Sequence, residues 1–403
     1  MIKKLTVIKQ FIYNVISTTL PTLVLQLLIL PLIAQKMDGD AYGLVLAIVA
    51  SVMMIAAGIG NTLNNIHMIS DREYREKNIF GDFGILFIIS TFVVSFITLG
   101  ILKYYDVREA SIYLLTIIMS ILVLAKEYYI VRFWIDLDYF GILLCNMLCV
   151  LGYALGYGIY WLGGEWQYIY IIGNLFSLIF IVRKYGISGA MFAKTVSFLS
   201  TAEKFGALTI AAVLNRALQY VDRLLLYPML GGEEVTIYYV ATLIGKTISM
   251  ALAPLNSFLL SQLSKKKDMS KRIFWQILVI TFITGIMAYP VCLILAKPLL
   301  GLLYPQWIEQ SMKYIWITTL TAIISAISMV IAPMVLKFCN INWQILIYGT
   351  CFVVYVAASF ILQKQFGLMG FCFGGMLANG ISLCLMVAIY MFTYRKGRKT
   401  CVE

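Results

Sequence analysis

The chain is nearly without histidine and poor in charge. One of its 403 residues is His, and 12% are charged, with 19 acidic side chains against 31 Lys and Arg. Each shortage excludes something. A lone His67, no glycine-rich phosphate loop and no nucleophile beside a base leave little from which to build an active site, so no enzyme activity, catalytic residue or cofactor is expected. So little charge leaves no soluble domain of useful size. The eight cysteines form no disulfide framework. Cys145, Cys149, Cys292, Cys351, Cys372 and Cys384 fall in apolar stretches, Cys339 in a short loop and Cys401 in the tail, and all read as small packing residues. Cys145 and Cys149 share a helix face, but no His or carboxylate accompanies them, so no metal site is expected.

What the chain does have is length without polarity: 62% of it is hydrophobic. Crossing the hydrocarbon layer takes about twenty apolar residues, and stretches of that order recur at 11–35, 43–68, 79–101, 110–131, 139–162, 167–182, 207–230, 236–262, 273–295, 312–336, 341–362 and 367–394. The expectation is an all-α polytopic membrane protein of about 12 transmembrane helices in two six-helix lobes. Residues 1–182 form the first lobe, 183–206 a cytoplasmic linker, 207–394 the second lobe and 395–403 a basic tail. The opening apolar run is longer than a signal-peptide core and reads as the first span. In the linker, Phe192, Val196 and Leu199 at helical spacing, with Lys194 and Lys204 nearby, suit an amphipathic helix on the inner surface; a solvated connector suits them equally.

The cations set the orientation. With both termini cytoplasmic, the inner segments collect Arg72, Arg75 and Lys77, then Arg183, Lys184, Lys194 and Lys204, then Lys265, Lys266, Lys267, Lys271 and Arg272, then Arg395, Lys396, Arg398 and Lys399. The outer loops hold the scattered Lys36, Lys103, Arg108, Lys297, Lys313 and Lys364. That asymmetry is the positive-inside rule, so the net charge of +12 is mostly topology and no nucleic-acid partner is expected.

The two halves begin alike. Leu30-Pro31 leads to Gly39-Asp40-Ala41-Tyr42-Gly43-Leu44, and Tyr227-Pro228 leads to Gly232-Glu233-Glu234-Val235-Thr236-Ile237. Each is a proline at the end of an apolar run, an acidic glycine turn, then a new run. An even number of spans per half relates the halves by an axis along the membrane normal, as in two-lobed transporters.

The few cations inside the apolar stretches are the main chemical clue. On the seventh, Arg216, Gln219, Tyr220 and Arg223 stand at i, i+3, i+4 and i+7, one helical stripe with its guanidiniums about 10 Å apart along the axis. Lys246 on the eighth can lie at a depth similar to that of Arg223. A desolvated arginine is costly unless it faces a cavity or a partner, and its planar fork matches phosphate oxygens. Arg216, Arg223 and Lys246 therefore read as an anion site, with Gln219 and Tyr220 beside them. The competing reading pairs Asp222 with Lys246 or an arginine as a buried structural contact. Asn61, Asn64, Asn65 and His67 near the inner end of the second stretch either face a sugar or bond across a dry bundle. Lys126, Glu127 and Arg132 read as a snorkelled, charge-paired group within a turn of the inner face. Gly152 with Gly156, and Gly370 with Gly374, mark close helix approach.

The run Tyr220-Val221-Asp222-Arg223-Leu224-Leu225-Leu226-Tyr227-Pro228-Met229-Leu230-Gly231, with Ile237-Tyr238-Tyr239-Val240-Ala241, with Ala253-Pro254-Leu255 reaching Gln262-Leu263-Ser264, and with the opening Leu25-Gln26-Leu27-Leu28-Ile29-Leu30-Pro31, resembles the bacterial polysaccharide exporters. The chain is similar over its length to Wzx-type flippases of the multidrug/oligosaccharidyl-lipid/polysaccharide (MOP) exporter superfamily. The resemblance implies a MATE-like fold in the bacterial inner membrane and transport of undecaprenyl-pyrophosphate-linked oligosaccharide to the outer leaflet for O-antigen or capsule. It also implies a polysaccharide polymerase and a chain-length regulator as partners, and a monomer as the default state.

No nucleotide-binding motif is present, which excludes ATP-driven transport by this chain alone. Asp222 is the candidate carboxylate for ion coupling. A uniporter would also work, since each phosphate charge moving outward gains about 2.3 kcal/mol per 100 mV. The alternatives are a multidrug or cation antiporter of the same superfamily, in whose cavity carboxylates should dominate, and a teichoic-acid or peptidoglycan-precursor exporter. A membrane polymerase or ligase would need a large outer loop, and the longest here runs only from about Ala296 to Ser311.

Overall fold

The structure, a computed structural model, describes residues 16–77, 81–186, 194, 198–264, 271–339 and 342–399. Phe192 and Val196 of the linker, Lys265, Lys266 and Lys267, and Cys401 lie outside them.

Twelve helices follow one another among the described residues. They are α1 (Ile16–Ala34), α2 (Gly39–Lys77), α3 (Gly81–Tyr104), α4 (Ala110–Tyr129, running on through Val131–Ile135), α5 (Tyr139–Trp161), α6 (Gln167–Tyr185), α7 (Phe198–Leu230), α8 (Gly232–Ser264), α9 (Lys271–Leu303) and α10 (Ile308–Phe338), then α11 (342–366) and α12 (368–399). The last two form one hydrogen-bonded stretch broken at Gly367, whose φ of 56° is left-handed and open to glycine at little cost. Nine stretches among the described residues are long and apolar enough to cross a membrane, and they fall on α1 to α6, α9, α10 and the joined α11–α12. Between them, α7 and α8 carry Arg216, Asp222, Arg223 and Lys246. The chain is a multi-pass membrane protein, all α, as its hydropathy predicts.

Inside α1 the turn Leu25–Ile29 is π-helical, just before Pro31, so the helix widens where its hydrogen-bond ladder is about to lose a donor. α7 begins at Phe198, within the segment expected to be linker, and Leu199 is exposed on its first turn.

The chain divides into two compact units. The first holds residues up to 37 and 41–228, the second residues 38–40 and 229–403. The sequence put the lobe boundary at 183–206, and the first compact unit extends through α7 to Pro228.

In the first unit α5 and α6 touch backbone to backbone. A Cβ on Gly152 would lie 2.6 Å from Gly173 Cα, and one on Gly156 2.5 Å from Ile169 Cα. The two helices are stitched where Ser177 Oγ donates to the Cys145 carbonyl at 3.0 Å and Cys145 Sγ to the Ser177 carbonyl at 3.9 Å. Gln167 Nε2 on α6 donates to Thr116 Oγ1 on α4 at 3.3 Å. Asp138 caps α5 by accepting from the Gly141 N–H at 2.9 Å and pairs with Lys184 at the end of α6.

In the second unit α10 is the central helix, packed by α8, α9 and the α11–α12 hairpin. Thr318 Oγ1 donates to the Ala241 carbonyl at 2.8 Å and Ser311 Oγ to the Ile237 carbonyl at 3.2 Å, both on α8. The Asp40 carboxylate receives the Glu233 N–H at 2.9 Å at the start of α8. A Cβ on Gly374 would come within 2.6 Å of the Ser359 nitrogen, so the second glycine pair, like the first, is a site of close approach.

Candidate functional site

The first unit encloses a cavity of about 560 Å³. Its lining follows helical stripes. On α2, Val49, Met53, Ala57, Asn61, Asn64 and Met68 recur every three or four residues, and on α7 Arg216, Tyr220 and Arg223 do the same. Gly58 brings α2 and α7 together, since a Cβ there would sit 3.4 Å from Val213 Cγ2 and 3.5 Å from Arg216 Cδ. Further polar groups come from Gln26 of α1, Asn65 of α2, Lys126 and Glu127 of α4, Asn146 and Tyr153 of α5, and Tyr170 and Asn174 of α6.

Of the residues singled out by sequence, Arg216, Tyr220, Arg223, Asn61 and Asn64 come together here. Arg223 is buried, at 6% exposure, with its guanidinium 5.7 Å from the centre of the Tyr220 ring. Gln219 shares the helix but is exposed and does not line the cavity. Asp222, also buried, does not line it either, and its carboxylate accepts the backbone N–H of Arg223 at 2.9 Å. Lys246 belongs to the second unit, where its ammonium lies 5.3 Å from the Tyr239 ring centre.

The asparagines divide by environment. Asn64 Nδ2 donates to the Glu127 carbonyl at 3.1 Å, tying α2 to α4, and Asn65 Nδ2 to Asn61 Oδ1 at 3.0 Å. His67 is instead packed among apolar side chains, stacked on Phe83 at 4.3 Å, with Tyr128 Oη 3.3 Å from its Nδ1.

Lys126 and Glu127 stand near the end of Ala110–Tyr129, where a turn at Ile130 leads on into Val131–Ile135. They are charge-paired, as the sequence reading has them, and Lys126 is the more sheltered of the two. Its side chain is 13% exposed, with Nζ 3.5 Å from Glu127 Oε1. Asn146, 4% exposed, is a residue the sequence reading passed over; an amide three residues before Cys149 in an otherwise apolar helix was the available sign. The charged side chains lining the cavity are thus Lys126, Arg216 and Arg223 against Glu127. That set favours an anion, and the surrounding amides and tyrosines offer donors and acceptors to hydroxyl groups.

No family model matches the sequence, and no curated protein matches it. Solved structures do. One is the inward-facing conformation of a multidrug resistance MATE family transporter of the MOP superfamily, with TM-score 0.72 and 12% identity over 95% of this chain and 99% of that one. Another is the lipid II flippase MurJ in its inward closed conformation, with TM-score 0.75 and 12% identity over 93% and 87%. A third is the Vibrio cholerae MATE transporter VcmN in its bent form, with TM-score 0.55 and 13% identity over 98% and 99%. The chain has the MATE-like fold of the MOP exporters.

Proposed function

We propose that this protein is a flippase that carries undecaprenyl-pyrophosphate-linked oligosaccharide repeat units, of O-antigen or capsule, from the inner to the outer leaflet of the bacterial cytoplasmic membrane by alternating access. The observation that carries the reading is the charge of the cavity: three cationic side chains and one carboxylate, ringed by amides, within a membrane protein. A buried guanidinium beside a cavity is stabilised by a phosphate and destabilised by a cation. The cavity's size is that of a small-ligand pocket, which suits a pyrophosphate and its nearest sugars while the prenyl tail stays in lipid. Both termini lie in the cytoplasm on this reading, and the membrane potential alone supplies a driving force of about 2.3 kcal/mol per charge per 100 mV.

The test is made in cells lacking the protein, in a background that tolerates the block. Lipid-linked repeat units should accumulate on the inner leaflet, as read by labelling from outside. The wild type should release them, and Arg216→Ala and Arg223→Ala should not, although both reach the membrane at normal levels; Arg223→Lys should restore part of the flow. Normal outward appearance of these lipids without the protein would sink the reading. The second reading, a multidrug cation antiporter, is favoured by the likeness to MATE transporters. Efflux of a cationic dye that depends on Glu127 would establish it instead.

A further inference from the structure

The Lys126–Glu127 contact is unusual in two respects. Consecutive helix residues do not face each other, so an ammonium and a carboxylate at i and i+1 meet only by bending toward one another across the helix surface. Here they do so at 3.5 Å, a long contact for an ion pair. The partners are also unequally sheltered: the Glu127 side chain is 27% exposed and that of Lys126 13%, so the carboxylate is the member nearer water. The backbone beneath them, by contrast, is fixed. Asn64 holds the Glu127 carbonyl, and Gly60 lets α2 approach so closely that a Cβ there would sit 2.7 Å from the Leu124 carbonyl oxygen and 2.9 Å from Glu127 Cβ. A loose side-chain pair on a clamped backbone is one whose members exchange partners by rotamer change alone.

We propose that Glu127 is an exchangeable counter-ion for Lys126: it offsets the ammonium while the cavity is empty and gives way when the phosphate of the cargo takes its place. This rests on the anion-carrier reading above. The charge balance shows what such a residue does. With Glu127 ionised, the lining carries two net positive charges, as many as a pyrophosphate diester carries negative ones. Without it, three cations face the same two charges and hold them more tightly than a carrier should, because cargo bound too deeply leaves slowly. Glu127 thus sets the affinity, and through it the rate of release.

The full chain in detergent is titrated with inorganic pyrophosphate by calorimetry, and flipping of a pyrophosphate-linked lipid is followed in proteoliposomes. Glu127→Gln should bind pyrophosphate about tenfold more tightly and flip the lipid more slowly. Lys126→Gln should bind more weakly, and in that background Glu127→Gln should gain much less than tenfold, the non-additivity expected of a coupled pair. Glu127→Asp, which keeps the charge on a shorter side chain, should fall between wild type and Glu127→Gln in affinity. A gain in affinity with a loss of rate is not what structural damage produces. If Glu127→Gln is not recovered folded, Glu127→Ser is read in the same way. Unchanged or weaker binding by the carboxylate-free variant overturns the proposal, and if Arg223→Ala still abolishes binding, the anion-carrier reading survives it. Failure of the wild type to bind pyrophosphate overturns both.

Discussion

Among single residues, Asp138 has the clearest energetic role outside the membrane. Burial pushes its carboxyl up, but the hydrogen bond from Lys184, the Gly141 N–H and the Lys184 charge together outweigh it and hold the group below its ordinary value of 3.8. A carboxyl depressed by folding stabilises the protein fully above that ordinary value and loses the contribution as pH falls through the depressed one. Asp138→Ala should therefore lower stability by about 1 kcal/mol at neutral pH through loss of the α5 cap. In thermal unfolding in detergent, the gap from wild type should close below about pH 4; a gap that persists in acid would remove the ionised carboxylate from the account. At this scale the sequence was informative where spacing does the work. Arg216, Tyr220 and Arg223 fall on one stripe and reach one cavity, because a helix carries residues seven apart to the same face. It was uninformative where placement depends on tertiary structure. Lys246 matched Arg223 in estimated depth, but depth does not say which unit a side chain serves.

Among elements, the α5–α6 contact is the one most sharply limited by shape. Gly156→Val forces a side chain into the Ile169 backbone and should cost about 1–3 kcal/mol. Gly158, one turn side away on the same helix, has nothing within 4 Å of its virtual Cβ, so Gly158→Ala should leave stability unchanged or slightly improved. Equal losses for the two in a detergent melting assay would assign the effect to helix propensity or lipid rather than packing. The paired glycines were legible in the sequence because small residues four apart are the usual means of close approach. The turn at Ile130 was not, since an apolar run with a charged cluster near its end reads the same whether its helix is continuous or broken there.

At the scale of the whole molecule, apolar length alone set the class and the number of helices, and cation placement set an orientation that cysteine labelling can check. In a background cleared of native cysteines, Gly163→Cys in the turn after α5 should react with an impermeant reagent added from outside, and Lys194→Cys should react only after the membrane is opened; the reverse would invert the topology. The first compact unit closes at Pro228, a limit set by contacts between residues distant in sequence, which linker composition does not report. Both units repeat one joint, a glycine of one helix received by the next helix but one. In the first unit Gly60 on α2 meets Leu124 and Glu127 on α4; in the second, Gly245 on α8 meets Ala322 on α10. One copy of that joint bears a charge and the other a methyl group. A change of shape at the second joint would disturb packing alone, whereas the same change at the first would also disturb an ion pair that faces the cavity.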